Sequence, residues 1–584
     1  MWFKKSLGAF AALALVLAAC STPSGSSSGE PSASGPAATD GGSAPTADQV
    51  LRVDIGGEPP SLDPTQATDS ASIVVLRSIT YPLAYFDENL AVVPGLAESW
   101  DISEDGTQIT YHLKDGITYS NGDPIVAGDF VYSWKRLIDP RVAAGYSYIM
   151  ADVVGGEDLL GATCLEIAAE DPPESCDEES EVLSDADIDG MLDAFGVSAP
   201  DDQTFVVDLA RPAAYFVYIS ALWTTVPLQQ SWVESEGFTE AENYVSSGPM
   251  QLDTWEHNAR IVLTPNPNWN GDEVTIDRVE MSMIQDPAAS LAAYEADELD
   301  LGSVPSEEVP RIQDDPELSQ EVLTGDVLSI YYMGYDLKNP DGIFTKSVNM
   351  RHAFDEAVDK ETMIATTFSG IGTVACGLVP PGMPGFQDCD TIGNPYDVDK
   401  AKADFQAGLD ELGLTADTLP ALEIGFNTDA NHEAKVDFLV EQWRQAFGVE
   451  VSPVGLEWGA YLDRLAEDPF DIFRLGWGAD YPHPNNFLTD LISCQSGNNN
   501  MGYCNEDVDA LLQEAAVTPD LEDQVPIYNQ AQEMVMEDTP IIPLRFATRF
   551  SLVKPWVGGG FAPTAQDSQV AGELFFYKVE IADH

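Results

Sequence analysis

Basic residues are scarce in this chain. Across 584 residues, 26 lysines and arginines stand against 98 aspartates and glutamates, a formal charge of −72 at pH 7. A nucleic-acid binder needs a basic stripe that neutralises phosphates, so that class is excluded. Adhesion to anionic lipid through the protein's own surface is disfavoured on the same ground. Such acidity suits colloidal solubility in an exposed environment better than capture of a particular cation. Histidine is rarer still, with six in the chain and no visible triad. No nucleophile elbow, phosphate loop or dinucleotide fingerprint occurs. His432-Glu433 opens like a zinc-protease helix, but Val436 occupies the place of the second histidine. Asp185, Asp187, Asp189 and Gly190 match half of a calcium loop, and Gly196 stands where its closing glutamate belongs. The seven cysteines lack the CxxC spacing of a zinc site. With 98 carboxylates along the chain, proximity in sequence identifies no general acid or base. The expectation is a protein that is not an enzyme and that holds no metal and no cofactor.

Long apolar runs are few as well. Lys4 and Lys5 precede one from Leu7 to Ala19, too short to span a bilayer comfortably, so residues 1–19 read as a signal peptide. The run ends in Leu17-Ala18-Ala19-Cys20, which resembles a lipobox, and makes Cys20 the expected acceptor of a diacylglyceryl anchor. Residues 20–49 are Ser, Gly, Pro, Ala and Thr with few large apolar groups, a composition that reads as a disordered tether. Later apolar stretches such as Pro212 to Leu228 are broken by prolines and polar residues. The body beyond the tether is therefore expected to be soluble, on the outer face of the cell membrane and attached to it through the lipid only. Six cysteines remain, as the neighbours Cys164 and Cys176, Cys376 and Cys389, Cys494 and Cys504. Other connectivities exist, but local pairing is the simplest and fits an oxidising compartment.

Short β patterns alternate with amphipathic helices, which points to α/β architecture. Ile109 to Leu113 and Phe205 to Leu209 alternate like strands, and Ile261-Val262-Leu263 is a β-branched run. Val436, Leu439, Val440, Trp443 and Phe447 recur at helical spacing, with Gly448 as a C-cap and Val449-Glu450-Val451 as the start of a strand.

Longer blocks carry a resemblance. Leu96-Ala97-Glu98-Ser99-Trp100, Ser120-Asn121-Gly122-Asp123-Pro124 and Asp129-Phe130-Val131-Tyr132-Ser133-Trp134 resemble extracellular solute-binding family 5. So do Ser247-Gly248-Pro249 with Arg260 to Leu263, Asn349 to Phe354 with Val358-Asp359-Lys360, and Val553 to Gly559. The second of these blocks departs from the family pattern at Met250. The resemblance spans nearly the whole body and is nearest the oligopeptide-binding components of ABC importers. It implies a two-lobed periplasmic-binding-protein-like α/β fold, type II in its large cluster C form, with an extra inserted domain. Lobe I is expected from residues 50–80, 223–329 and 541–584, the insertion from 81–222 and lobe II from 330–540. A solute bound between the lobes would stabilise the closed form, which the permease subunits then recognise. The partners implied are a peptide ligand and those permeases, and the protein is expected to be monomeric. A nickel chelate, an oligosaccharide or a role as a surface peptide sensor are the alternatives.

Ligand residues transfer only where positions match. In Asp471 to Tyr481, Asp480 matches the aspartate that pairs with the peptide's α-ammonium in relatives. Gly476 and Gly478 would offer backbone hydrogen bonds to an extended ligand, as would Thr68, Asp69 and Ser70 from the opposite lobe. Arg474 and His432 match residues that meet the ligand's C-terminal carboxylate, and Trp458 and Trp477 would line side-chain pockets. Gly478 replaces a cysteine of the relatives, so the disulfide stapling has moved elsewhere.

Overall fold

The structure, a computed structural model, describes residues 48–87, 90–162, 164–165, 182–428, 431–559 and 576–584. The expected signal peptide, Cys20, nearly all of the tether and Cys176 lie outside those residues. Among the described residues, no helix is long and apolar enough to cross a membrane.

The alternating segment after Gly106 forms the strand Gln108–Leu113, which buries Ile109, Tyr111 and Leu113 on one face. It lies between Ala97–Ile102 and Thr204–Asp208, and Val197–Asp201 completes an antiparallel sheet of four. The helix Ala127–Ile138 covers that sheet with Phe130, Trp134 and Leu137, spaced as one helical face. Trp134 meets Phe205 edge-on at 5.0 Å. In the acidic segment nearby, Asp187 closes a capping box with Ser184, while Asp185 and Asp189 lie 3.6 and 2.9 Å from Arg141. These carboxylates start a helix and hold an arginine.

A second four-stranded sheet runs Val50–Asp54, Arg278–Ser282, Arg260–Pro265, Met250–Glu256, with the first pair parallel and the rest antiparallel. Just before it, the Gly248 amide donates to the Ile79 carbonyl at 3.0 Å, and a Cβ there would sit 2.8 Å from the Thr80 backbone. Only glycine permits that approach. Met250, the departure from the family pattern, is fully buried.

The third sheet has seven strands. Its order is Leu301–Ser303, Ile541–Val553, Val322–Tyr335, Ile472–Gly478, Leu422–Asn427, Val451–Leu456, with Thr373–Val374 attached to Ile541–Val553. Val322–Tyr335 and Ile541–Val553 are 14 and 13 residues long. They pair from Val322 to Asp326, shift register, and pair again from Ile330. Only from Ser329 onward does Val322–Tyr335 also hold Ile472–Gly478. The expected boundary between residues 329 and 330 thus falls inside one continuous strand, at its irregularity. At the far side, the helix His432–Phe447 buries Val436, Leu439 and Trp443 and ends at Gly448 with φ 69°. It links Leu422–Asn427 to the parallel Val451–Leu456, a βαβ crossover. The fold is the two-lobed α/β type expected.

Disulfides join Cys376 to Cys389 and Cys494 to Cys504, across 13 and 10 residues. Cys164 is also disulfide-bonded.

Candidate functional site

The strand Ile472–Gly478 is held on one edge along its whole length, from Tyr335↔Ile472 to Ser329↔Gly478. On the other edge, Leu422–Asn427 reaches only Ile472 and Phe473. From Arg474 onward, no strand among the described residues pairs with that edge. Tyr461 donates to the Arg474 carbonyl at 2.6 Å, so this carbonyl faces the open edge. By the two-residue repeat of a strand, the backbone groups of Gly476 and Gly478 face it too. Both glycines are exposed, and nothing lies within 4 Å of a Cβ built on Gly478. An extended chain can therefore lie against this edge and bond to it.

Acidic groups mark one end. Asp480 is buried, and its Oδ2 accepts from the Tyr148 hydroxyl at 3.1 Å, while the Tyr146 hydroxyl stands 3.5 Å from Oδ1. Asn486 accepts the Asp480 amide at 2.9 Å and places its own Nδ2 between two carboxylates, 2.8 Å from Asp490 and 3.5 Å from Asp480. Burial raises the Asp480 pKa, and the hydroxyls and Asn486 offset only part of that. Burial, with Asp480 nearby, pushes Asp490 up to about 7. Asp480 and Asp490 line a cavity of about 380 Å³ together with Trp477, Tyr148 and Tyr215.

Cations gather near the other end. The Arg474 guanidinium lies 4.7 Å from the Tyr331 ring, Lys435 and Arg545 lie 4.8 and 4.6 Å from the Phe368 ring, and Tyr331 and Phe368 meet edge-on at 5.3 Å. Among the described residues, neither Arg474 nor Arg545 has a carboxylate within ion-pair distance, and Arg474 Nε is buried without a hydrogen-bond partner. Crowding and burial shift the pKa values here. Lys435 is lowered to about 8 and Arg545 to about 10, by burial first and, for Lys435, by the neighbouring guanidiniums. His432 joins this cluster as a neutral imidazole. Burial, then Arg474 and Lys435, lowers its pKa to about 3, and its Nδ1 lies 3.0 Å from the Tyr331 hydroxyl. Its contribution is a hydrogen-bonding group, with the positive charge supplied by Arg474, Lys435 and Arg545.

Trp477 is half-buried, with Nε1 donating to Asn486 at 3.3 Å. Trp458 is exposed and lies 6.0 Å from Tyr461, the residue that touches the open edge. Asp69 is occupied as a helix cap, accepting from the Ser72 amide at 3.0 Å. Exposed Thr68 sits against Gly145, next to the tyrosines that reach Asp480. Ser70 lines a separate cavity of about 540 Å³, so the structure does not bring it to Asp480.

The family model described as "Bacterial extracellular solute-binding proteins, family 5 Middle" matches residues 91–499, well over half of the chain. The chain belongs to this family. Family 5 proteins bind solutes and are not enzymes, and this member is no exception. It is 29% identical over 510 residues to the oligopeptide-binding protein OppA of Bacillus subtilis, covering 85% of this chain and 88% of that protein. Among solved structures it resembles an unliganded open form of the periplasmic murein tripeptide binding protein MppA, at TM-score 0.76, 26% identity and 92% and 98% coverage. It also resembles Haemophilus influenzae OppA in complex with the peptide RPPGFSPFR, at TM-score 0.68, 26% identity and 92% and 100% coverage.

The sequence singles out Asp480, Arg474 and the glycines between them, and the structure places these along one strand and its continuation. The sequence gives no sign of Tyr146, Tyr148 and Asp490, which the structure brings to the acidic end, or of Lys435 and Arg545 at the basic end. Tyr148 is 332 residues from Asp480 along the chain, and no local pattern announces such a contact.

Proposed function

We propose that this protein captures short oligopeptides and delivers them to the permease of an ABC importer. The observation that carries the reading is the polarity of the open strand edge. A carboxylate stands beyond its glycine end and guanidiniums stand at its arginine end, which complements a zwitterionic chain lying extended between them. Arg474 and Asp480 are six positions apart, so at ~3.3 Å per residue the edge suits a ligand of roughly four to six residues. Asp480 would pair with the α-ammonium, Gly476 and Gly478 with the ligand backbone, and the Arg474, Lys435 and Arg545 cluster, with His432, with the C-terminal carboxylate. Thr68 would approach from the opposite side, and Trp458 and Trp477 would flank side chains. Lobe I (50–80, 223–329, 541–584) and lobe II (330–540) would close on the ligand, with the 81–222 insertion supplying the tyrosines. The body would be held outside the cell by a lipid on Cys20.

Calorimetric titration with free, N-acetylated and C-amidated tri- to hexapeptides tests this. Free peptides should bind tightly, and each blocked end should weaken binding at least tenfold. Equal binding of blocked peptides, or binding only of a sugar or metal chelate, refutes the peptide assignment.

The carboxylates add a pH signature. A bound ammonium favours ionised Asp480 and Asp490, whose pKa values in the free protein are raised, so binding near pH 7 expels protons. Affinity should fall as the pH drops below 7, and fall again above about 8 as the peptide's own α-amino group loses its proton. Tyr481 and Tyr528 face Asp490 from the 330–540 segment, and Asp152 and Tyr215 from the 81–222 segment; the tyrosines, all raised, stay neutral throughout. Titration near pH 6.8 in buffers of different ionisation enthalpy should reveal the released protons, and none would contradict ammonium capture.

A further inference from the structure

The cavity beside Asp480 holds more negative charge than an α-ammonium answers. Five carboxylates line it, from Asp152, Glu157, Asp480, Asp490 and Asp509, against one cation, Arg211. Arg211 is already committed, at 2.5 Å to Asp152 and 3.2 Å to Glu157. Asp480, Asp490 and Asp509 have no cation within ion-pair distance among the described residues. Asp509 is partly engaged at the rim, accepting the Cys494 amide at 3.2 Å.

Asp490 is the one placed to take a second charge. Its Oδ2 is used by Asn486 at 2.8 Å and by the Tyr481 hydroxyl at 3.1 Å, whereas no donor among the described residues meets Oδ1. A second, independent acceptor stands beside it. Asn485 is fully buried, lines the same cavity and spends its Nδ2 on the Tyr481 hydroxyl at 2.9 Å, yet its Oδ1 has no partner. A buried carbonyl oxygen left without a donor costs free energy that a ligand's N–H recovers. Two unanswered acceptors in one cavity, one of them on an uncompensated carboxylate, are complementary to an ammonium or guanidinium, and not to an apolar or acidic group.

We propose that this cavity is the subsite for the first side chain of the ligand, and that it selects peptides beginning with lysine or arginine. The inference rests on the peptide reading above: with the α-ammonium on Asp480, a lysine or arginine carries its second cation a few ångströms further, to Asp490 and Asn485. Norleucine has the lysine stem without the charge and would strand both acceptors. Glutamate in the same place would add a sixth carboxylate.

The test compares tetrapeptides that differ only at the first residue: lysine, arginine, ε-acetyl-lysine, norleucine and glutamate, each followed by three alanines. Titration of the intact body should give at least tenfold tighter binding for lysine and arginine than for norleucine or ε-acetyl-lysine, with glutamate weakest. In Asp490→Asn, the lysine-to-norleucine ratio should shrink severalfold, whatever happens to the absolute affinities. A wild-type ratio near one overturns the proposal without recourse to any variant, and so does a tenfold ratio that Asp490→Asn leaves unchanged. Binding of all five peptides with equal affinity overturns this subsite alone, whereas failure of every peptide to bind overturns the peptide reading with it.

Discussion

Asp480→Asn should weaken binding of peptides with a free amino terminus by a factor of roughly 30 to 5,000, about 2–5 kcal/mol, the range for removing one partner of a buried charge pair. Asparagine keeps the shape of the side chain and an oxygen for the Tyr148 hydroxyl, now 3.1 Å away, so the change isolates the charge. N-acetylated peptides offer no ammonium and should bind wild type and variant alike, weakly in both. Stability should move the opposite way. A carboxylate whose folded pKa is raised favours the folded state least above that pKa, because the buried charge must then be carried without a partner. Burial raises the Asp480 pKa, so at pH 8 the ligand-free variant should melt at a higher temperature than wild type. Tighter folding with lost binding would separate a ligand-holding aspartate from a structural one. Equal loss for free and acetylated peptides, or a lower melting temperature, would mean that Asp480 supports the strand end and holds no ammonium.

What the sequence revealed follows the reach of each interaction. Alternation in Gln108–Leu113 and the 3.6-residue face of His432–Phe447 are decided within a dozen residues, and both elements form where the pattern puts them. The disulfides Cys376–Cys389 and Cys494–Cys504 close short loops, so spacing was informative. Asp480, Arg474, Gly476 and Gly478 were readable for a related reason: they share one strand and its continuation. Their partners were not. Arg545 joins Arg474 only because Ile541–Val553 and Ile472–Gly478 flank the same central strand, and Tyr148 reaches Asp480 from the short 3-10 helix Ser147–Met150, far away in the chain. The charge of His432 was equally hidden, since it depends on burial and on two cations brought in by folding.

Lys360→Met should cost ~3–5 kcal/mol of stability, far more than its modest change in volume, because it leaves a buried charge without its partner. Lys360 and Asp355 are both buried, with Nζ 2.8 Å from Oδ1. The pair joins the end of the helix Val348–Glu356 to the start of Lys360–Thr367, in the segment whose Asn349 to Lys360 pattern resembles the family. Asn394 supports the other Asp355 oxygen at 3.1 Å, but it brings no charge. The adjacent Glu356 makes the position more demanding: burial pushes it up to about 7 even though Lys400 contacts it. Removing Lys360 therefore leaves two neighbouring buried acids and one lysine between them, in a chain that has few cations to spare. If the cost is the stranded carboxylate, Asp355→Asn added to Lys360→Met should recover most of it, since amide and thioether can be buried without a counter-charge. Thermal and urea unfolding of the two single variants and the double variant would measure the coupling. Equal destabilisation in Lys360→Met and in the double variant would show that the lysine acts through packing of its stem and not through its charge.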